Sequence, residues 1–92
     1  MVSQRIRIVG RVQGVGYRDA LCQEARSGGV AGWVRNRFDG SVEALLQGPP
    51  ERVEQLIAWA RRGPPASRVD EVRIEPAEDE PVHARFERRP SA

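Results

Sequence analysis

The sequence of 92 residues has no lysine and no threonine, and it has a single cysteine, a single histidine and a single asparagine. Cys22 alone cannot close an intrachain disulfide, and Cys22 with His83 cannot supply the four ligands of a structural zinc site. No apolar run approaches the roughly 20 residues of a membrane-spanning helix, and the first twelve residues alternate polar with apolar instead of forming a signal peptide's apolar block. The sequence therefore predicts a cytoplasmic protein without disulfides, structural zinc or membrane insertion.

The composition is that of a small globular domain, with 39% hydrophobic and 30% charged residues. A chain this short buries only about two-thirds of the surface that its unfolded form exposes, so we expect residues 1–92 to form a single domain. All fifteen basic side chains are arginine, yet the net charge is only +2. Arginine stays protonated even in alkaline solution, so the isoelectric point is high although the net charge is small. The high isoelectric point is therefore only weak support for nucleic-acid binding.

Hydrophobic periodicity predicts two helices and five extended segments. Strands are predicted over residues 4–12, 30–37, 41–47, 69–75 and 82–87, a first helix over residues 17–27, and a second helix between Pro50 and Gly63. Asp39-Gly40 between two extended runs indicates a hairpin. The order β α β β α β, with a short final strand, predicts an α+β two-layer ferredoxin-like sandwich with an antiparallel sheet and both helices on one face.

The other face of this sheet is expected to be open to solvent. It carries Arg5, Arg7 and Arg11 from the first strand, and Glu43 or Glu71 can lie opposite them. Cross-strand ion pairs are therefore predicted there instead of a ligand site.

Residues 13–16, Gln-Gly-Val-Gly, form a loop that leads from the first strand into the first helix. The N–H groups of such a loop and of the first helical turn lack partners and favour an anion. Arg18 otherwise places a positive charge at the positive end of the helix dipole, a conflict that a bound phosphate removes. A tight strand-to-helix connection explains the loop equally well, because G-x-G without Gly-Lys-Ser/Thr is a weak motif.

Asn36 ends the second predicted strand, just before the hairpin turn. Its amide can donate and accept hydrogen bonds, so it can hold a water molecule. Asparagine also shapes turns of this kind, and spacing alone favours that interpretation. In the predicted fold, however, the end of the second strand approaches the loop after the first. A pocket shared by Asn36 and Arg18 would decide between the two interpretations.

Two longer motifs resemble the signatures of the acylphosphatase family. Residues 10–18, GRVQGVGYR, match the first signature, and residues 32–48, GWVRN-x3-GSV-x5-G, match the second. The resemblance covers nearly the whole chain in length and element order. It implies an α/β sandwich that hydrolyses the carboxyl-phosphate bond of small acyl phosphates without a metal or a cofactor. We also expect a monomer whose site accepts phosphate, sulfate or chloride.

The resemblance also implies roles for individual residues. Arg18 matches the family's phosphate-binding arginine, and Asn36 matches the asparagine that positions the attacking water. The phosphate cradle is implied at Gln13, Gly14, Val15, Gly16, Tyr17 and Arg18. Tyr17 stands where phenylalanine is also usual. Arg88 stands where an apolar residue is expected, which leaves the anchoring of the last strand open.

The chemistry of acyl phosphates explains why so few residues suffice. The leaving carboxylate has a conjugate acid with a pKa of about 4, so it departs without a proton from a general acid. The site must then hold the phosphate oxygens, neutralise their charge and direct a water in line. Cys22 is interpreted as a packing residue and not a nucleophile. The base that accepts the proton of the attacking water is either the substrate's own phosphate or Asp39. The hairpin turn explains Asp39 better than a catalytic role does.

Two other functions fit parts of the sequence. A nucleic-acid-binding module shares the element order, but the first and third strands lack the aromatic residues that stack on bases, so we expect no nucleic acid as partner. A detached acylphosphatase-like domain of a hydrogenase-maturation factor acting on carbamoyl phosphate is the second alternative. The absence of a cysteine-rich zinc region after the domain favours the free enzyme.

Overall fold

The computed structural model describes residues 1–92. Its elements are β1 (Val2–Arg11), α1 (Tyr17–Ser27), β2 (Ala31–Asn36), β3 (Val42–Gly48), α2 (Pro50–Arg62), β4 (Arg68–Pro76) and β5 (Phe86–Arg88). The strands form one sheet in the order β4-β1-β3-β2-β5. The predicted two-layer ferredoxin-like sandwich is therefore confirmed. No helix has the length and apolar character needed to cross a membrane.

The short strand β5 makes the sheet mixed instead of wholly antiparallel. β5 runs parallel to β2, with Phe86 opposite Gly32, whereas all other neighbouring strands are antiparallel. β4 ends at Pro76, opposite Gln4, and residues 77–85 then cross that end of the sheet. A strand that starts from this end runs in the same direction as β2, which starts there too.

The crossing segment, residues 77–85, does not form the strand that the sequence predicts from Val82. Its backbone is held by the buried side chain of Gln47, whose Nε2 donates to the Pro81 carbonyl (2.8 Å) and whose Oε1 accepts from the His83 N–H (2.8 Å). These backbone groups pair with a side chain instead of a neighbouring strand. The strand predicted to begin at Val82 therefore begins at Phe86.

The main hydrophobic core lies between the helices and one face of the sheet. The alternation predicted for β1 is observed, since Ile6 and Ile8 are fully buried. Cys22 lies in the same core with 3% of its surface exposed, as expected of a packing residue. Trp33 and Leu45 are buried in a smaller cluster with Ala77.

The open face of the sheet carries a cluster of arginines around one carboxylate. Four guanidinium groups lie 2.8 to 4.0 Å from the Glu43 carboxylate, those of Arg5, Arg7, Arg35 and Arg37. The Glu43 side chain is only 8% exposed, while the four arginines are 26 to 32% exposed. The ion pairs expected between β1 and Glu43 are present for Arg5 and Arg7 but not for Arg11, whereas Glu71 pairs with Arg73 of its own strand.

Replacing Glu43 with alanine is expected to lower the free energy of unfolding by about 2–4 kcal/mol. Loss of one partner from a buried ion pair costs about 3–5 kcal/mol, and the partial exposure of the arginines reduces that figure. Urea denaturation at two salt concentrations measures the change. High salt should shrink it, because salt screens the repulsion among the uncompensated guanidiniums. Glu71→Ala, which removes an exposed carboxylate, is the matched control, and an equal loss there would contradict the role of burial.

Candidate active site

Two left-handed glycines shape the loop between β1 and α1. Gly14 has φ 73° and Gly16 has φ 79°, and a Cβ atom at either position would meet no atom within 4 Å. The backbone conformation, not lack of space, therefore favours glycine at both positions. Gly16 is the N-cap of α1, and no side chain caps this helix end.

The loop and the helix start leave a group of backbone donors free. None of the N–H groups of residues 13–16 donates to another backbone group, and the first-turn N–H groups of α1 lack helical acceptors. The first N–H in α1 with a partner is that of Ala20, which donates to the Gly16 carbonyl (3.0 Å). These free donors lie at the positive end of the helix dipole, an arrangement that attracts an anion.

Gln13 fastens this loop to the β2–β3 hairpin. Its Nε2 donates to the carbonyls of Arg37 (2.7 Å) and Ser41 (2.8 Å). The side chain is thus engaged within the protein, and only the backbone N–H of Gln13 is left for an anion. Sequence reasoning placed Gln13 in the cradle but did not find this clamp, which brings the end of β2 to the loop.

One pocket of about 270 Å³ contains both Arg18 and Asn36. Its wall is formed by Val12, Gln13, Gly14, Gly16, Tyr17, Arg18, Asp19 and Asn36. Of the predicted cradle, only Val15 is not part of this wall, and it packs against the core. No group of three or more His, Cys, Asp or Glu side chains is arranged to hold a metal ion. The predicted proximity of Arg18 and Asn36 is therefore observed.

The side-chain oxygen of Asn36 is buried and accepts no hydrogen bond from the protein. The turn-shaping role that spacing favoured for Asn36 belongs instead to Asp39, whose Oδ1 accepts from the Ser41 N–H (2.9 Å) and hydroxyl (2.6 Å). These bonds, the hydroxyl's first, lower the pKa of Asp39. A buried carbonyl oxygen without a partner is costly, and a water molecule or ligand in the pocket would relieve that cost.

The Arg18 guanidinium is held at one point and free elsewhere. Its Nη1 donates to the Arg89 carbonyl (3.3 Å), and this is the only hydrogen bond that the side chain makes. The remaining N–H groups of the planar fork are available to a ligand. An arginine fork presents two parallel donors to the oxygens of a phosphate, which a lysine cannot do.

The C-terminal tail, residues 89–92, contacts both candidate catalytic residues. It continues along β2 beyond β5, with the Arg89 N–H donating to the Val34 carbonyl (2.8 Å) and the Ala92 N–H donating to the Asn36 carbonyl (3.0 Å). The Arg89 carbonyl also receives the Arg18 guanidinium. The tail thus fixes the backbone of Asn36 and the side chain of Arg18 together.

Arg88, which stands where an apolar residue was expected, forms an ion pair with Asp19. The hydrogen bond to Asp19 raises the pKa of Arg88. Asp19 lies in the wall of the pocket, where its negative charge opposes an anion. The pair both anchors β5 to α1 and offsets that charge.

Arg88→Ala is expected to weaken the binding of inorganic phosphate, because the negative charge of Asp19 is then no longer offset. The loss should be only about twofold to threefold, because an exposed ion pair contributes little free energy and salt screens it. Asp19→Asn should strengthen binding by a similar factor. The double variant should bind like Asp19→Asn alone, since Arg88 acts through that carboxylate. Isothermal titration calorimetry measures the dissociation constants, and weaker binding in the double variant than in the wild type would contradict this account.

Tyr17 contributes its side chain to the core instead of the pocket. Its hydroxyl donates to the Ala60 carbonyl (2.7 Å) near the end of α2. In a continuing helix that carbonyl would accept from residue 64, but Pro64 has no N–H. The tyrosine hydroxyl supplies the missing donor, and burial raises its pKa.

The fold and the pocket define a small α+β domain with a pocket and free N–H donors at the start of a helix. Comparison with known proteins makes the class specific, because the acylphosphatase family model matches residues 4–88. The chain therefore belongs to the acylphosphatase family, as its two sequence motifs predicted.

The similarity to individual relatives extends over most of the length of each relative. The chain is 56% identical to the acylphosphatase of Thermococcus kodakarensis over 79 residues, which cover 86% of this chain and 87% of that one. It is 48% identical to the acylphosphatase of Thiobacillus denitrificans over 89 residues, covering 97% and 98%. The crystal structure of the Bacillus subtilis acylphosphatase superposes with a TM-score of 0.90 at 38% identity, covering 95% and 97%.

Proposed function

We propose that this protein hydrolyses the carboxyl-phosphate bond of small acyl phosphates to a carboxylate and inorganic phosphate, with Arg18 and Asn36 as catalytic residues. Its family makes it an acylphosphatase hydrolase. One observation carries the assignment of the residues: the unpartnered Asn36 oxygen lines the same pocket as Arg18 and the loop with free N–H donors.

In this mechanism the phosphate oxygens bind to backbone N–H groups of residues 13–18 and to the fork of Arg18. The Arg89 carbonyl orients the guanidinium before substrate arrives, so little ordering is needed on binding. Phosphoryl transfer spreads charge over the equatorial oxygens, and these fixed donors stabilise that charge. Arg18 and the loop thus bind the substrate and stabilise its transition state.

The nucleophile is water, which donates a hydrogen bond to the Asn36 side-chain oxygen and faces phosphorus in line with the leaving carboxylate. The carboxylate needs no general acid, because its conjugate acid has a pKa of about 4. Cys22 is buried in the core and does not line the pocket. Asp39 is engaged by Ser41, and Asp19 by Arg88. The water's proton therefore passes to a phosphate oxygen of the substrate.

We further propose that residues 1–92 act as one domain and as a monomer in the cytoplasm, with phosphate, sulfate or chloride competing for the pocket. The continuous core beneath both helices supports a single domain. The nucleic-acid alternative is not favoured, because Asp39, Glu43, Glu75 and Glu80 already pair with the arginines of the open sheet face. Size-exclusion chromatography with light scattering tests the monomer.

The decisive experiment measures hydrolysis of acetyl phosphate and benzoyl phosphate by the purified protein, with and without a chelator. Activity is expected with both substrates and should survive the chelator, because positioning and fixed donors suffice for a leaving group this good. A phosphate ester with an alkoxide leaving group is the control and should react far more slowly. Salt-dependent, submicromolar RNA binding without acyl phosphate hydrolysis would overturn the assignment.

A further inference from the structure

Phe38 is a highly exposed aromatic residue at the β2–β3 hairpin, with 84% of its surface in solvent. Single exposed apolar residues are common and need no explanation by themselves. Phe38 differs in its position, because it follows Asn36 by two residues.

The backbone around Phe38 is held on several sides. The Arg37 N–H donates to the Ser41 carbonyl (2.8 Å), and the Gly40 N–H donates to the Arg37 carbonyl (3.1 Å). Gln13 binds the same two carbonyls from the side of the pocket. These bonds fix the backbone that carries Phe38, so a ligand that contacts the ring has only the side-chain rotamers to order.

The hydrogen bonds to the C-terminal tail show which way Phe38 faces. The Ala92 N–H donates to the Asn36 carbonyl, and the Phe38 N–H donates to the Ala92 carbonyl (3.0 Å each). These two bonds form a parallel bridge between Arg37 and Ala92, so the backbone stays extended through Arg37 and turns only at Phe38 and Asp39. Side chains two residues apart in extended backbone share a face, so those of Asn36 and Phe38 start from the same side. Val34 on that face is fully buried, and Asn36 lines the pocket. Phe38 is the next side chain on this side of the chain after Asn36, beyond the residues that form the pocket wall.

The pocket wall itself offers an acyl group little apolar surface. Its two hydrophobic residues, Val12 and Tyr17, are each only 1% exposed. The remaining wall residues are glycines or carry polar side chains, those of Gln13, Arg18, Asp19 and Asn36. Of the large hydrophobic residues that are mostly exposed, Met1, Phe38, Ile74 and Val82, only Phe38 is within two residues of the pocket wall along the chain.

We propose that Phe38 is a specificity-determining residue that packs on the acyl group of the substrate. The enzyme then prefers acyl phosphates whose acyl group presents an aromatic or other flat apolar surface. This inference rests on the proposed hydrolysis of acyl phosphates. Aromatic rings in contact gain affinity beyond the area they bury, so the effect falls on substrate binding and appears mainly in KM.

Kinetics with benzoyl phosphate and acetyl phosphate test this assignment in Phe38→Ala and in the more conservative Phe38→Leu. Phe38→Ala is expected to raise KM for benzoyl phosphate by about fivefold to tenfold while changing KM for acetyl phosphate by less than twofold. Phe38→Leu should lie between. Val82→Ala is the matched control, because Val82 is also an exposed apolar residue (73%) but lies in the segment that crosses the opposite end of the sheet.

Calorimetry with phenylphosphonate and methylphosphonate separates binding from turnover. Phe38→Ala should weaken the binding of phenylphosphonate and leave the binding of methylphosphonate unchanged. Equal losses for both substrates, or no loss for either, would overturn the role of Phe38, since equal losses indicate a general disturbance of the hairpin. A wild-type protein that hydrolyses neither substrate would refute the proposed function itself. If the wild type hydrolyses the substrates but the ratio of KM for benzoyl phosphate to KM for acetyl phosphate is the same in Phe38→Ala, only the inference about Phe38 is refuted.

Discussion

Arg18→Lys is expected to reduce kcat/KM for acetyl phosphate on the order of 100- to 1000-fold. Lysine keeps the positive charge but loses the planar fork, which can grip two phosphate oxygens while a further N–H binds the Arg89 carbonyl. Removing one fixed donor to transition-state charge typically costs a factor of this size. Steady-state kinetics with purified variants measure the loss, and Arg18→Ala should lose at least as much.

Arg26→Lys is the matched control for Arg18→Lys. Arg26 also lies on α1, and its Nε donates to the Phe86 carbonyl (3.0 Å) outside the pocket. Its replacement should change kcat/KM by less than twofold. Thermal unfolding of both variants verifies that they remain folded. Full activity in Arg18→Lys would rule out a role for the fork and leave only a simple charge effect.

Asn36→Ala is expected to lower kcat by about 100-fold or more and to leave the affinity for phosphate nearly unchanged. The Asn36 oxygen directs the water and does not hold the phosphate, so its loss affects the transition state more than the bound substrate. Kinetics give kcat, and calorimetry with inorganic phosphate gives the affinity. A parallel loss of kcat and phosphate affinity would show instead that the hairpin had moved away from the loop.

Gln55→Ala provides the control for Asn36→Ala. Gln55 carries the same kind of amide on the exposed face of α2 and is absent from the pocket wall. Its loss should leave kcat unchanged. The contrast between two carboxamides, one buried without a hydrogen-bond partner to its oxygen and one in solvent, isolates the effect of position.

Much of the fold follows from local patterns in the sequence. The predicted first helix, residues 17–27, coincides with α1, because two glycines precede it and Gly28-Gly29 ends it. The hairpin, the second helix and the buried face of β1 likewise depend on turn residues and periodicity. These signals act over a few residues, so a single sequence contains them in full.

The features that position the site depend on distant parts of the chain. Spacing alone favoured a turn role for Asn36, because a pattern shows where a side chain lies but not which partner it has. The Gln13 clamp and the pairing of Arg88 with Asp19 join segments that are far apart in sequence. The parallel direction of β5 follows from where the crossing segment enters the sheet. None of these contacts leaves a local pattern.

The position of the C-terminal tail has a consequence for the protein during its synthesis. The loop, Arg18 and Asn36 are all translated before residue 40, but the hydrogen bonds to the Arg18 side chain and to the Asn36 carbonyl come from residues 89–92. A nascent chain in which residues 89–92 are still inside the ribosome therefore lacks the contacts that hold the Arg18 side chain and the Asn36 carbonyl. Because pairing between distant segments is slow, turnover should begin only after residues 89–92 have left the ribosome.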